Sequence, residues 1–376
     1  MSNPVHRICI TLGTRPEAIK LAPVIQAFQS SEQFLTQVVL TGQHREMVDQ
    51  VMTLFNLQAD HDLDIMAANQ TLSDITCRSL AGLQGLFKDL QPNLVIVQGD
   101  TTTAFAAALA AFYQQIPIGH VEAGLRTANI FNPYPEEANR RLISQIAQLH
   151  FAPTPQAVAN LERSAVTGNI HHTGNTVIDA LLTVAEAQPD CPIPNLDWAK
   201  YRTILATVHR RENWGAPLQD IAQGFLNILE QFSDTAIVLP LHRNPTVREP
   251  LQALLGNHPR IFLTEPLDYS ALVGAIQRCH LLLTDSGGLQ EEAPSLGKPV
   301  LVLRETTERP EAVTAGTAKL IGTDTDRITS EAAQLLGNAE AYDKMATAVN
   351  PFGDGQASRR IVERVTRYLS EGDTSR

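Results

Sequence analysis

ICITLGTRPEAIK, Ile8–Lys20, is the stretch from which the fold is read. Ile8–Leu12 is an apolar run of the right length for one buried strand. It meets Gly13, which permits a sharp turn, and Pro16, which suits the first turn of a helix. Arg15 and Lys20 then add positive charge near the exposed N–H groups of that helix. Strand, turn and helix together read as an anion cradle, without the spacing of a Walker loop or a GxGxxG fingerprint. The plainer reading is a charged turn in which Arg15 pairs with a neighbouring carboxylate.

Outward from this unit the same rhythm recurs. Gln37–Leu40, Leu94–Val97 and Ile116–Val121 are short Ile/Val/Leu-rich runs separated by helical patterns, the order of βαβ units around a parallel sheet. Between them Leu83, Leu86, Phe87 and Leu90 fall on one helix face. Thr203–Val208, Ala236–Leu239, Arg260–Leu263, Leu281–Leu283 and Val300–Leu303 repeat the pattern in the second half. The chain has 376 residues, well past the size at which single cores divide, and 43% hydrophobic residues suffice for two. QPDCPIPNLDW, Gln188–Trp198, carries three prolines and is read as the linker between a domain at 1–187 and another at 199–355. Ile361, Val365 and Tyr368 lie on one face of a final helix in 356–376, which is expected to dock back across the domains. Two such α/β domains imply a central cleft.

Twenty-nine Lys and Arg against 40 Asp and Glu give a net charge of −11, which argues against general binding to nucleic acid or anionic membrane but allows a local basic pocket. Cys9, Cys77, Cys191 and Cys279 lack metal-ligand spacing, so ordinary thiols in a reducing cytoplasm are expected, with no metal site. Neither a signal-peptide core nor a membrane-spanning apolar run is visible.

Charge gathers where strands end. In QGDTTT, Gln98–Thr103, Asp100 is either a helix cap or a catalytic base. In GHVEAGLRT, Gly119–Thr127, Glu122 ends a buried strand, where an isolated charge is costly; it serves a ligand or pairs internally with Arg126. PYPEEANRR, Pro133–Arg141, sets Glu136 and Arg140 four residues apart, able to pair on one helix face. His209 and Arg210 open HRREN, and His242 lies in LHRNP, both at strand ends suited to anions, with a structural hydrogen bond as the plainer reading of His209. In LLLTDSGGLQEEAPSLGKP, Leu281–Pro299, Asp285 and Ser286 can cap a helix, while Gly287 and Gly288 permit close backbone approach to phosphate. Glu291 and Glu292 follow, as sugar ligands or as solvated side chains. RETTERPEAV, Arg304–Val313, offers Thr306 and Thr307 as polar ligands and Arg309 either as an anion ligand or as a brace for the loop through carboxylates.

Taken together, GTRPEAIK, GQHREM, QGDTTT, GHVEAGLRT, PEEANR, HRREN, DSGGLQEEAPSLGKPVL and TTERPEAVTAGT resemble the non-hydrolysing bacterial UDP-N-acetylglucosamine 2-epimerases, from Ile8 to Ser358. The resemblance implies a glycosyltransferase-B fold with two Rossmann-like domains, a homodimer and no cofactor. It also implies reversible interconversion of UDP-N-acetylglucosamine and UDP-N-acetylmannosamine by anti elimination of UDP, through 2-acetamidoglucal, and re-addition. By the same resemblance Asp100, Glu122 and Glu136 form the acid/base group, with Arg140 supporting them and His209 beside the diphosphate. Arg15, Lys20, Ser286, Gly287, Gly288, Glu292 and Arg309 contact the nucleotide sugar, with Leu267 and Leu272 around uracil. Gln43, His44, Glu46, Arg210 and His242 correspond to a regulatory UDP-N-acetylglucosamine site. A retaining glycosyltransferase, a hydrolysing epimerase and a non-enzymatic nucleotide-sugar sensor are the competing readings.

Overall fold

The computed structural model describes residues 5–42, 45–67 and 69–371. Gln43 and His44 lie outside the described residues. Contacts divide the chain into two compact units, one running up to Ala180 and resuming at Phe352, the other Leu181–Pro351. The division falls inside a helix, ahead of the proline-rich stretch read as a linker. Gln188–Trp198 belongs to the second unit: Cys191 and Ile193 are buried, and Arg278 donates to the Pro189 carbonyl at 2.8 Å. Proline removed its regular hydrogen bonds, yet its apolar residues still had a core to enter.

In the first unit, β1 (His6–Leu12), β2 (Phe34–Leu40), β3 (His61–Asp62), β4 (Leu94–Gln98), β5 (Ile118–Val121), β6 (Leu149–Ala152) and β7 (Asn169–His172) form a parallel sheet in the order β3-β2-β1-β4-β5-β6-β7. Its helices are α1 (Arg15–Gln29), α2 (Arg45–Leu54), α3 (Leu72–Leu90), α4 (Thr102–Tyr113), α5 (Glu136–Ile146), α6 (Pro155–Arg163) and α7 (Thr176–Glu186). β4 is buried at all five positions, as a strand covered on both faces must be. Leu83 and Phe87 of the α3 stripe are fully buried in the same core as the alanines of α4, whose small side chains let neighbouring helices approach.

The second unit has β8 (Arg202–Thr207), β9 (Thr235–Pro240), β10 (Ile261–Thr264), β11 (Leu281–Thr284), β12 (Val300–Val302) and β13 (Ala318–Leu320), ordered β10-β9-β8-β11-β12-β13 and also parallel. Its helices are α8 (Ala216–Gln231), α9 (Pro245–Leu255), α10 (Tyr269–Arg278), α11 (Gly287–Glu292), α12 (Pro310–Ala315), α13 (Thr325–Gly337) and α14 (Ala339–Ala346). The chain then returns to the first unit, where α15 (Ala357–Glu371) packs on α1. Asp179 fastens the start of α15 by accepting the amides of Ala357 at 3.2 Å and Ser358 at 2.7 Å. Among the described residues, no helix is long and apolar enough to cross a membrane.

Both sheets reverse strand order once, at β1/β4 and at β8/β11. Loops leaving two adjacent strands there diverge to opposite faces and open a crevice at the carboxyl ends, where ligands bind in open α/β sheets. Each sequence motif that carries charge follows one of these strands or the next one along.

Candidate active site

In the first unit the turn after β1 and the turn after β4 are tied together by Glu17. This buried carboxylate accepts the amides of Gly13 at 3.0 Å and Thr14 at 2.7 Å on one oxygen, and the Thr101 hydroxyl at 2.6 Å on the other. Burial pushes its pKa up, and those bonds pull it back only in part. Gly13 is required for close packing: a Cβ there would collide with Thr41 and Thr103. Its backbone is not left-handed, so approach, rather than the sharp turn expected, selects glycine.

Thr101 caps α4, accepting the Ala104 amide at 3.0 Å, and Asp100 is thereby left free of capping. The Asp100 carboxylate instead accepts Arg140 Nη2 at 2.6 Å and keeps about a quarter of its side chain exposed. Burial raises its pKa, Arg140 lowers it, Glu122 raises it, Lys20 lowers it and Glu136 raises it, with a net upward shift. All three expected carboxylates therefore share one electrostatic neighbourhood. Glu122, one residue past β5, has a left-handed backbone with φ of 61°. Its carboxylate takes both oxygens' worth of Lys20 Nζ, at 2.6 and 2.7 Å, together with the amide groups of Gln98 and, at 3.4 Å, Asn175. Arg126 is not its partner.

Arg140 does not pair with Glu136, contrary to the spacing argument. Its second contact is Glu137, 3.4 Å away, which is fully buried and also holds Arg141 Nε at 2.6 Å. Glu137, three residues before Arg140 on α5, takes the place that the spacing gave to Glu136. Glu136 Oε2 and Arg140 Nε are buried without hydrogen-bond partners among the described residues, although such atoms are nearly always satisfied in native interiors. Arg15 at the start of α1 likewise has no ion pair among the described residues, so the charged-turn reading fails.

In the second unit Asp285 is the organising group, and capping a helix is not its role. Fully buried one residue beyond β11, it accepts the amides of His209 and Arg210, each at 2.8 Å, and Asn213 Nδ2 at 3.0 Å. Its other oxygen lies 2.8 Å from His209 Nδ1. Burial pushes the Asp285 carboxyl up, but the His209 ring and the two amides outweigh it and hold it below the ordinary range. This fixes the imidazole with Nε2 directed away from Asp285. Sequence reading missed the pairing, although adjacent strands ending in TVHR and LTDS are its signal.

Gly287 begins α11, and a Cβ there would stand 3.7 Å from Arg210 Nη2 and 4.0 Å from Arg309 Cζ. Two guanidinium groups thus flank a backbone able to come close to an oxyanion. Arg309 is held by Glu291, and Thr307 donates to Gln290 at 2.6 Å. Glu291 and Glu292 are both buried rather than solvated; Tyr269 donates to Glu292 at 2.9 Å, and Ser286 precedes them as the helix N-cap residue. Leu267 and Leu272 join His209 and His242 in lining a recess of about 170 Å³. The His242 ring stacks on His209 with centroids 6.1 Å apart. Arg210 and His242 therefore sit with the residues of this unit that were expected to hold the nucleotide. Glu46 is exposed in the first turn of α2.

Two parallel Rossmann-like domains, with clustered carboxylates at the strand ends of one sheet and guanidinium groups beside a glycine turn at those of the other, define a protein of the glycosyltransferase-B class. The family model described as UDP-N-acetylglucosamine 2-epimerase matches residues 26–366. A UDP-N-acetylglucosamine 2-epimerase of Salmonella typhimurium is 49% identical over 96% of this chain and 99% of its own. A Neisseria meningitidis UDP-GlcNAc 2-epimerase, solved bound to UDP-GlcNAc, superposes with a TM-score of 0.87 at 48% identity, covering 96% of this chain and 100% of its own. A Methanocaldococcus jannaschii enzyme of the same description gives 0.82 at 32% identity, again covering 96% and 100%. The chain belongs to the UDP-N-acetylglucosamine 2-epimerase family.

Proposed function

We propose that the protein interconverts UDP-N-acetylglucosamine and UDP-N-acetylmannosamine without net hydrolysis, working as a cytoplasmic homodimer with no cofactor. The observation that carries this reading is the trio of carboxylates Asp100, Glu122 and Glu136: Asp100 pairs with Arg140, Glu122 pairs with Lys20, and both glutamates push the Asp100 pKa up. A binding module has no use for three acids gathered in one place, whereas inversion at C2 needs proton transfer at both faces of the carbon.

The C2 hydrogen of a saturated sugar is not acidic. Anti elimination solves this by breaking the C1–O bond to UDP as a carboxylate takes the C2 proton, giving 2-acetamidoglucal and UDP. Return of UDP to C1, with a proton delivered to the opposite face of C2, completes the inversion. Arg210, Arg309, Ser286 and the open backbone at Gly287 and Gly288 suit the departing diphosphate, with His209 Nε2 able to protonate it. Leu267 and Leu272 suit the uracil, and Glu292 the ribose. Asp100, with its raised pKa, carries a proton more readily than an ordinary carboxyl, while Glu122, compensated by Lys20, is suited to accept one. Retaining UDP keeps the second step effectively intramolecular.

The test is incubation of the purified chain with UDP-N-acetylglucosamine in deuterated water. UDP-N-acetylmannosamine carrying deuterium at C2, without stoichiometric free sugar and UDP, is the expected result. Product lacking deuterium would refute proton exchange at C2, and stoichiometric free N-acetylmannosamine would identify a hydrolase instead. Light scattering on the same sample checks the dimer.

A further inference from the structure

The GHVEAGLRT motif leaves Arg126 without a role in the proposed reaction, since Glu122 pairs with Lys20. Its guanidinium is half-buried and donates to the Leu125 carbonyl and the Ser144 hydroxyl, each at 2.8 Å. Among the described residues it meets no carboxylate in an ion pair. Burial pulls its pKa down, Glu137 raises it, and Arg140 and Arg141 pull it down again. Glu137 is spoken for, being bonded to Arg141 and to the Thr127 amide and lying against Arg140.

Arg126 lines the rim of a recess of about 600 Å³ between α5 and α6, wholly within the first unit. Arg141 and Arg163 line it too, with Ser144, Gln145 and Asn160. Arg163 donates to the Asn160 side-chain amide oxygen and forms no ion pair among the described residues. Among the described residues, no carboxylate lines the recess. Arg141 keeps Glu137 as its partner, but Arg126 and Arg163 add two guanidinium groups with no ion pair among the described residues to the same recess, a local reversal of sign in a chain of net charge −11.

We propose that this recess binds a small phosphorylated molecule, its phosphate or diphosphate held by Arg126, Arg141 and Arg163. Forked guanidinium donors match phosphate oxygens, and two positive charges without a carboxylate partner, with Arg141 beside them, favour a multiply charged group over a single carboxylate. The volume lies within the range of small-ligand pockets, and Gln145, Asn160 and Ser144 supply donors and acceptors for hydroxyl groups. The proposal stands on the first unit alone and does not depend on the epimerase reaction.

Inorganic pyrophosphate is the probe, and amide hydrogen exchange of the full chain is the readout, because it separates this recess from the anion cradle of the second unit by position. Pyrophosphate should slow exchange in segments 125–128, 141–145 and 160–164. Arg126→Gln combined with Arg163→Gln should raise the concentration needed by about tenfold or more. Protection by UDP at 284–292 should be the same in both proteins. Should the double variant unfold, Arg163→Gln alone decides, since this exposed helix-end residue can be changed without touching the core. Pyrophosphate protection confined to the second unit would overturn the proposal, as would equal protection in wild type and variants. Protection of the recess by rising protein concentration, with pyrophosphate adding nothing, would show that a second copy covers it, and would overturn the proposal as well.

Discussion

Glu122 occupies a backbone region that costs a residue with a side chain about 1–2 kcal/mol, and such strain persists where surrounding bonds over-determine it. Lys20 does so here on both oxygens, and Gln98 and Asn175 on one each. Glu122→Gln keeps the shape and removes the charge, so turnover should fall at least about a hundredfold while UDP affinity changes less than threefold, roughly. Asp100→Asn should behave alike. Steady-state turnover and UDP titration check both, and near-normal turnover would remove that residue from the acid/base group. Asp285→Asn separates positioning from contact. It leaves His209 in place but weakens the anchor of its ring and of two amides, so the pH profile of turnover should change more than the affinity for UDP.

At the scale of elements, two turns depend on side chains that never meet substrate in the proposed reaction. Thr101 both caps α4 and donates to Glu17, so Thr101→Ala should cost about 1–2 kcal/mol in urea unfolding and lower turnover by loosening the turn that carries Asp100. Asp179→Ala removes the acceptor for two amides at the start of α15. Exchange along 357–371 should accelerate, with that along β1 and β4 unchanged; uniform acceleration would mean that α15 is not a separable element.

Across the whole molecule, acid sensitivity should trace to two buried histidines on neighbouring strands. His120, which donates to the Gly99 carbonyl at 2.7 Å, is held down to about 4 and His150 to about 3, in both cases chiefly by burial. Their unfolded values lie near 6.5, so below that pH the unfolded chain takes up protons that the folded chain refuses. Stability is therefore full above about pH 6.5 and falls as pH drops toward 4, by about 3 kcal/mol for His120 alone. His120→Asn should flatten the lower limb of stability against pH measured by urea unfolding. An unchanged slope would place the acid sensitivity elsewhere.

The alternation of apolar runs and helical patterns determined the α/β class and nine of the strands, because a parallel strand covered on both faces must be apolar throughout. It could not find β3, β7 or β13, short edge strands that need no such run, nor β6, whose LHFA hides a histidine in the core. Charged residues at strand ends marked the site, since charge beside a buried sheet demands a partner or ligand. Which partner was beyond local spacing: Glu122 with Lys20, Arg140 with Asp100 and His209 with Asp285 are separated by 102, 40 and 76 residues. Strand order alone brings those ends together, and only the folded sheet has a strand order.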